Sequence, residues 1–119
     1  CHRRIQGILH CVRPVALRTV PVFVQNTREY EVIQTKKFGT IIQMEIGALL
    51  VGKIHNYKRS QEAYDVEAGM EKGHFEFGGS TIILLFLKNA VSLNEKLYGR
   101  SNDNGEIRVS AGEAIARGN

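Results

Sequence analysis

Gly73-His74-Phe75-Glu76-Phe77-Gly78-Gly79-Ser80-Thr81-Ile82-Ile83-Leu84-Leu85-Phe86 is the most informative stretch of this 119-residue chain. Phe75 and Phe77 alternate with His74 and Glu76, the period-two pattern of a half-buried strand. Ile82 to Leu87 is the longest apolar run in the chain. Thr81 to Leu87 therefore predicts a strand buried on both faces, central in its sheet. Between the two strand signals stands Gly78-Gly79-Ser80. By composition alone this is a bulge or turn. It also meets what internal serinolysis asks of a backbone. A serine hydroxyl must attack the carbonyl before it, the chain must leave extended geometry, and a preceding glycine resists that least. Rigid flanking strands must hold the bend. A base and an oxyanion stabiliser are also required, and the stretch itself assigns neither.

Outward from this segment the signals are again those of short strands. Arg28 to Thr35 carries Tyr30 and Val32 on one face. Thr40 to Ile46 places Ile42, Met44 and Ile46 opposite Gln43 and Glu45, and Lys36 to Gly39 between these runs reads as a hairpin turn. Val20 to Gln25, with Pro21 at its start, predicts another strand. So does Ala48 to His55, interrupted by Gly52. Asn56 to Gln61 reads as a loop, Ala63 to Glu67 as a short edge strand, and Gly69 to Gly73 as a turn. Gly99 to Gly105 is a polar loop, Glu106 to Ser110 a last strand, and Ala111 to Arg117 a helical turn weakened by Gly112. The expected fold is mainly β: a single compact barrel- or sandwich-like domain of short antiparallel strands.

Apolar residues make up 43% of the chain and charged residues 24%, ordinary globular usage. The net charge of +4 and pI near 9.3 favour anionic surfaces. Nucleic acid is not the expected partner, because no recognition helix or basic stripe with interleaved aromatics is present. Cys1 and Cys11 are too few for a disulfide framework, which fits a reduced, intracellular protein. No stretch approaches the roughly 18 apolar residues of a spanning helix. No HxH, HExxH or Cys/His cluster points to a metal. The chain opens on Cys1 rather than on methionine, as a processed or partial chain would.

The segment resembles the processing site of the phosphatidylserine decarboxylase family. Gly79-Ser80-Thr81 matches the Gly-Ser-Thr core of that motif, and Gly78 its Gly-Gly-Ser-Thr variant. Gly69, Glu71, Gly73, Phe75 and Phe77 resemble the family's Gly-x-Glu-x-Gly-x-Phe-x-Phe approach. Glu45 to Ile54 resembles its Val-Gly-Ala-x-x-Val-Gly-x-Ile pattern. Asn26-Thr27-Arg28 resembles its Asn-x-Arg turn, and Gly7 to Pro14 its Gly-x-Leu-x-x-Val-x-Pro segment. These matches run in family order from Gly7 to Phe86, about two-thirds of the chain.

The resemblance implies cleavage between Gly79 and Ser80, with Ser80, Gly79, Gly78 and Thr81 as the site. Ser80 becomes a covalent pyruvoyl cofactor, whose ketone forms a Schiff base with the amine of phosphatidylserine and draws off electrons as carbon dioxide leaves. Residues 1–79 would end the β chain and residues 80–119 form the α chain. The implied partners are phosphatidylserine, an anionic membrane surface bound peripherally, and the N-terminal part of the same enzyme. The resemblance leaves room for a homo-oligomer. Family members place the processing histidine and its aspartate further upstream. His2-Arg3 resembles the end of their Asp-Tyr-His-Arg motif, but no Asp-Tyr precedes it and Gly7 follows too closely. His2 is therefore not read as that base. His74 is a weak catalytic candidate, Arg28 a candidate for substrate phosphate, and His10 and His55 ordinary strand residues. The alternative function is a non-catalytic β module or an inactive fragment lacking the upstream base.

Overall fold

The computed structural model describes residues 1–49, 53–77, 81–100 and 105–119, with residues 98–100 described in backbone only. The chain divides into two compact units, residues 1–33 with 42–85, and residues 34–41 with 86–119. As the alternation and turn signals predict, the described elements are mainly short antiparallel strands. They form one four-stranded and two two-stranded sheets, and none of the described sheets closes into a barrel.

The four-stranded sheet has the order β1-β2-β3-β6, from β1 (His2–Ile5), β2 (Arg28–Thr35), β3 (Gly39–Ile46) and β6 (Thr81–Phe86). β1 pairs antiparallel to β2, with His2 opposite Glu31 and Ile5 opposite Arg28. β2 and β3 are joined by the predicted turn at residues 36–38. Thr35 closes it through its hydroxyl, accepting from the Phe38 N–H and donating to the Gly39 carbonyl. In the first unit, β4 (Ile54–Asn56) and β5 (Gly73–Phe75) make a second, two-stranded sheet. In the second unit, β7 (Val91–Leu93) pairs with β8 (Ala116–Gly118). There Phe38 packs edge-on against Phe86, with ring centroids 6.5 Å apart.

The core of the first unit mixes apolar and polar groups. Val22, Ile46, Ala48 and Ile54 are buried beside His2, Asn26, Thr27, Glu29, Glu31, Glu45 and Asn56. Asn26 shows how this is tolerated: it accepts from the His10 N–H and donates to the carbonyls of His10 and Gly47. Among the described residues no buried side-chain nitrogen or oxygen lacks a hydrogen-bond partner, as stable burial of polar groups demands.

Several elements depart from the sequence reading. Val20–Gln25 is not a strand: Val22–Gln25 forms a helical turn, α2, following another, α1, at Pro14–Leu17. The Pro21 carbonyl accepts from both Val24 and Gln25, so local turn bonds override the β propensity of Val and Phe. Residues 63–67 are irregular, with Tyr64 tied to Glu31 at 2.8 Å. Residues 106–110 form no strand beyond an isolated bridge at Ile107. Gly112, at φ +80°, turns the chain into β8 where a helical turn was expected. β6 lies at the edge of its sheet rather than the centre, and Ile82, Leu84 and Leu85 are exposed. The predicted Ala48–His55 strand keeps its end in β4; residues 50–52 lie outside the described residues.

Candidate active site

The approach to Ser80 is built by β4 and β5. Ile54 lies opposite Phe75, His55 opposite His74 and Asn56 opposite Gly73. Gly73 is required by close approach: a Cβ there would fall 1.9 Å from the His55 carbonyl oxygen. The Glu76 N–H donates to the Lys53 carbonyl, extending the pairing by one residue. At Phe77 the backbone leaves the sheet, with φ +62° and the side chain 83% exposed. A bulky residue in the left-handed region is a strained outlier, and this one immediately precedes Gly78. The sequence places its bend further on, at Gly78-Gly79-Ser80, and puts Phe77 beside Phe75 on one face of a strand; that alternation stops at Phe77. Gly78, Gly79 and Ser80 lie outside the described residues, and Thr81 is half-buried at the start of β6.

The strand pair carries a titratable cluster that the sequence reading did not assemble. His55 Nε2 lies 2.7 Å from Glu76 Oε1, and Lys53 Nζ lies 3.3 Å from Glu76 Oε2. Burial alone would raise the Glu76 carboxyl, but hydrogen bonds from His55 and Lys53 outweigh it and hold it below the ordinary carboxylate range. The His55 and His74 rings stack at 5.0 Å. Tyr57 donates its hydroxyl proton to Glu71 at 3.1 Å, so at the same distance from His74 Nδ1 it accepts. That bond to Glu71, more than burial, raises the Tyr57 phenol. A histidine paired with a carboxylate can receive and hold a proton. His55 and His74 are registered partners across two strands 19 residues apart, a relation no local pattern reveals.

A cavity of about 120 Å³ opens beside this pair, lined in part by Glu45, His55, Asn56, Lys72, Phe75 and Ile82. That is room for about four waters, and Ile82 is two residues beyond Ser80. Its polar wall belongs to a buried network. Lys72 Nζ contacts Glu45 at 2.8 Å and donates to Asn56 Oδ1. The Asn56 amide donates at 2.8 Å to Glu29, which also receives His2 at 2.8 Å, Arg4 at 2.9 Å and Arg59 at 3.3 Å. Burial works to raise the Glu29 carboxyl, but Asn56, His2 and Arg59 together hold it below the usual range. His2, set aside above as the processing base, is thus half of a buried histidine–carboxylate pair. A second cavity in the same unit, about 450 Å³, includes Tyr57, Lys58, Tyr64, Met70 and Lys72 in its wall. Burial, then the bond to Glu31, pushes the Tyr64 phenol up to about 12.

Arg28 donates through Nη1 to the Val24 and Asn26 carbonyls at 2.6 and 3.1 Å. Among the described residues no group of three or more His, Cys, Asp or Glu is placed to hold a metal.

The model of one family, phosphatidylserine decarboxylase, matches residues 2–117. The phosphatidylserine decarboxylase proenzyme 2 of Clostridium acetobutylicum is 43% identical over 115 residues, covering 97% of this chain and 38% of that protein. The proenzyme of Clostridium tetani is 40% identical over 116 residues, 96% of this chain and 38% of the relative. That of Ruminiclostridium cellulolyticum is 41% identical over 114 residues, 95% and 37%. The chain thus spans less than two-fifths of the length of these relatives. No solved structure matches it. With a family model matched along nearly its whole length, and relatives at this identity, the chain belongs to the phosphatidylserine decarboxylase family.

Proposed function

We propose that this chain is the C-terminal part of an enzyme that converts phosphatidylserine to phosphatidylethanolamine, and that it carries the enzyme's self-processing bond, Gly79–Ser80. The observation that carries the reading is the family match over residues 2–117, with Gly78-Gly79-Ser80-Thr81 inside it. The relatives' name, proenzyme, fits a chain that matures by cleavage. The left-handed turn at Phe77 supports it further, since a bent backbone is what attack on the Gly79 carbonyl needs.

Ser80 Oγ bonds to the Gly79 carbonyl carbon, the Gly79–Ser80 C–N bond breaks, and an ester with a free amine remains. Loss of the Ser80 α-proton expels the Gly79 carboxylate and leaves dehydroalanine. Water then replaces the nitrogen, which departs as ammonia, and the α chain, residues 80–119, begins with a pyruvoyl group. Residues 1–79 end the β chain. The pyruvoyl ketone, once present, supplies an electron sink for loss of carbon dioxide from an amine-bearing carboxylate. The chain's own contribution is to hold the bond in place. Gly73 brings β5 hard against β4, Phe77 turns the backbone, and Thr81 stands beyond the bond at the start of β6. The base comes from the N-terminal part of the enzyme. The protein works inside the cell as a peripheral membrane protein, and its assembly as a homo-oligomer follows the same reading.

The test is the intact mass of the chain with the missing part of the enzyme supplied. Cleavage at Gly79–Ser80 with loss of ammonia is expected, and Ser80→Ala stays whole and inactive. Ser80→Cys retains a competent nucleophile and is expected to cleave more slowly or stop at the thioester. Decarboxylation of phosphatidylserine by the Ser80→Ala protein would overturn the reading. Full cleavage by the 119-residue chain alone would move the base from the upstream part to this chain, with His55 and Glu76 the first residues to replace.

A further inference from the structure

All of the net positive charge of the chain lies in its first 28 residues. They hold five arginines, no lysine and no acidic residue, so they carry +5 against +4 for the whole chain, and the rest carries −1. The same segment is unusually apolar at its surface. Val15 is 71% and Val24 69% exposed, and Ile8, Leu17 and Phe23 are exposed as well. α1 and α2 are held in place from behind rather than by these side chains. Val22 is buried, Asn26 ties His10 to Gly47, and the Ile8 N–H donates to the Gln25 carbonyl. Arg13 and Arg18 flank α1, both exposed, and neither forms a salt bridge among the described residues. An exposed segment that is apolar, cationic and without an acidic residue in its own sequence complements one partner chemistry above others. An anionic lipid surface accepts apolar side chains at its headgroup boundary and attracts guanidinium groups from above it. A protein partner matched to the arginines alone would leave Val15 and Val24 in water.

We propose that residues 8–24 are the membrane-docking element of this chain, with Val15, Leu17, Phe23 and Val24 entering the headgroup boundary of an anionic bilayer and Arg13 and Arg18 holding its phosphates. The lipid substrate proposed above makes a bilayer the natural setting, but docking requires only surface charge. It is therefore tested with phosphatidylglycerol, which offers no serine headgroup, and by a readout that needs no processing or decarboxylation.

The chain contains no tryptophan, so a single introduced indole reports its own surroundings. Val15→Trp and Val24→Trp are compared with Val109→Trp, an exposed valine far along the sequence. With vesicles of phosphatidylcholine and phosphatidylglycerol, emission from the first two is expected to shift to the blue and to be quenched by brominated acyl chains. Val109→Trp is expected to show neither effect. Arg13→Gln with Arg18→Gln should weaken partitioning roughly 25-fold, at about fivefold for each basic group near an anionic surface. Salt should weaken binding of the unaltered protein, since the screening length falls from about 10 Å at 0.1 M to about 3 Å at 1 M. The salt titration needs no charge variant to fold. No blue shift at Val15 and Val24, an equal shift at Val109, or equal binding to pure phosphatidylcholine would each overturn the proposal. Docking without decarboxylation would leave it standing and count against the enzymatic reading alone.

Discussion

Glu29 is fully buried and meets four donors from His2, Arg4, Asn56 and Arg59, which makes it the most constrained side chain in the first unit. In sequence it reads as the solvent side of β2, because Tyr30 and Val32 alternate with it and are the apolar choices. The structure buries Glu29 and Glu31 instead and leaves Val32 exposed. The reason is not local: the donors that make burial affordable lie 25 to 30 residues away. Glu29→Gln keeps the shape but turns an amide N–H₂ toward groups that are themselves donors. The expected cost is about 2–3 kcal/mol, discounted because Arg4 and Arg59 are half-exposed and can return to water. It would be read as a lower denaturation midpoint at unchanged slope. The pH dependence has a fixed sign. Glu29 titrates below its ordinary value of 4.5 when folded, so just below 4.5 the unfolded chain binds more protons. Its contribution is complete above that value and is lost as the pH falls through the folded pKa. The Gln variant should therefore lose less stability on acidification than the parent, while Glu76, shifted the same way, leaves part of the acid slope in both. An unchanged acid slope would remove Glu29 from this role.

Elements were legible where their signal was local. β2, β3 and the turn between them follow from alternation and from Gly39 at φ +66°. The sequence places the bend that chemistry requires at Gly78-Gly79-Ser80, outside the described residues; just before it, Phe77 is left-handed. The Gly79 and Ser80 assignments rest on motif alone. What could not be read were decisions made by partners: β1 exists because β2 is there to pair with it, and α2 wins over a strand through turn bonds at Pro21. Gly73 gives the sharpest test at this scale. Gly73→Ala would press a methyl into the His55 carbonyl and push β5 off β4. A loss of about 2–3 kcal/mol is expected, the range of overpacked sites, together with slower cleavage at Gly79–Ser80 when the upstream part is supplied. Cleavage at the parent rate would mean that the strand pair does not position the bond. β6 leads to the opposite expectation. Its apolar run predicts a central strand, yet Leu84 is 41% exposed at a sheet edge. Leu84→Asp should then shift the melting of the 119-residue chain by less than about 1 kcal/mol, where a buried position would lose several.

Across the whole chain, the described residues bury only Val22, Ile46, Ala48, Ile54 and Leu97 as apolar side chains. The apolar side chains left exposed have two chemistries. Residues 8–24 are apolar and basic, suited to lipid. β6 exposes Ile82, Leu84 and Leu85 with no charge between Thr81 and Leu87, and an apolar edge strand invites another chain to pair with it. The relatives are more than twice as long as this chain, and the part it does not span is expected to cover β6. Co-expression with the upstream part of the Clostridium acetobutylicum relative should therefore give a stable complex, raise the melting temperature, lower binding of a hydrophobic dye and allow cleavage at Gly79–Ser80. Leu84→Asp, nearly silent in the chain alone, should abolish the complex while sparing vesicle binding by residues 8–24. A complex that forms equally well with Leu84→Asp would show that β6 is not the covered edge, and loss of vesicle binding by the same variant would show that the two surfaces are one.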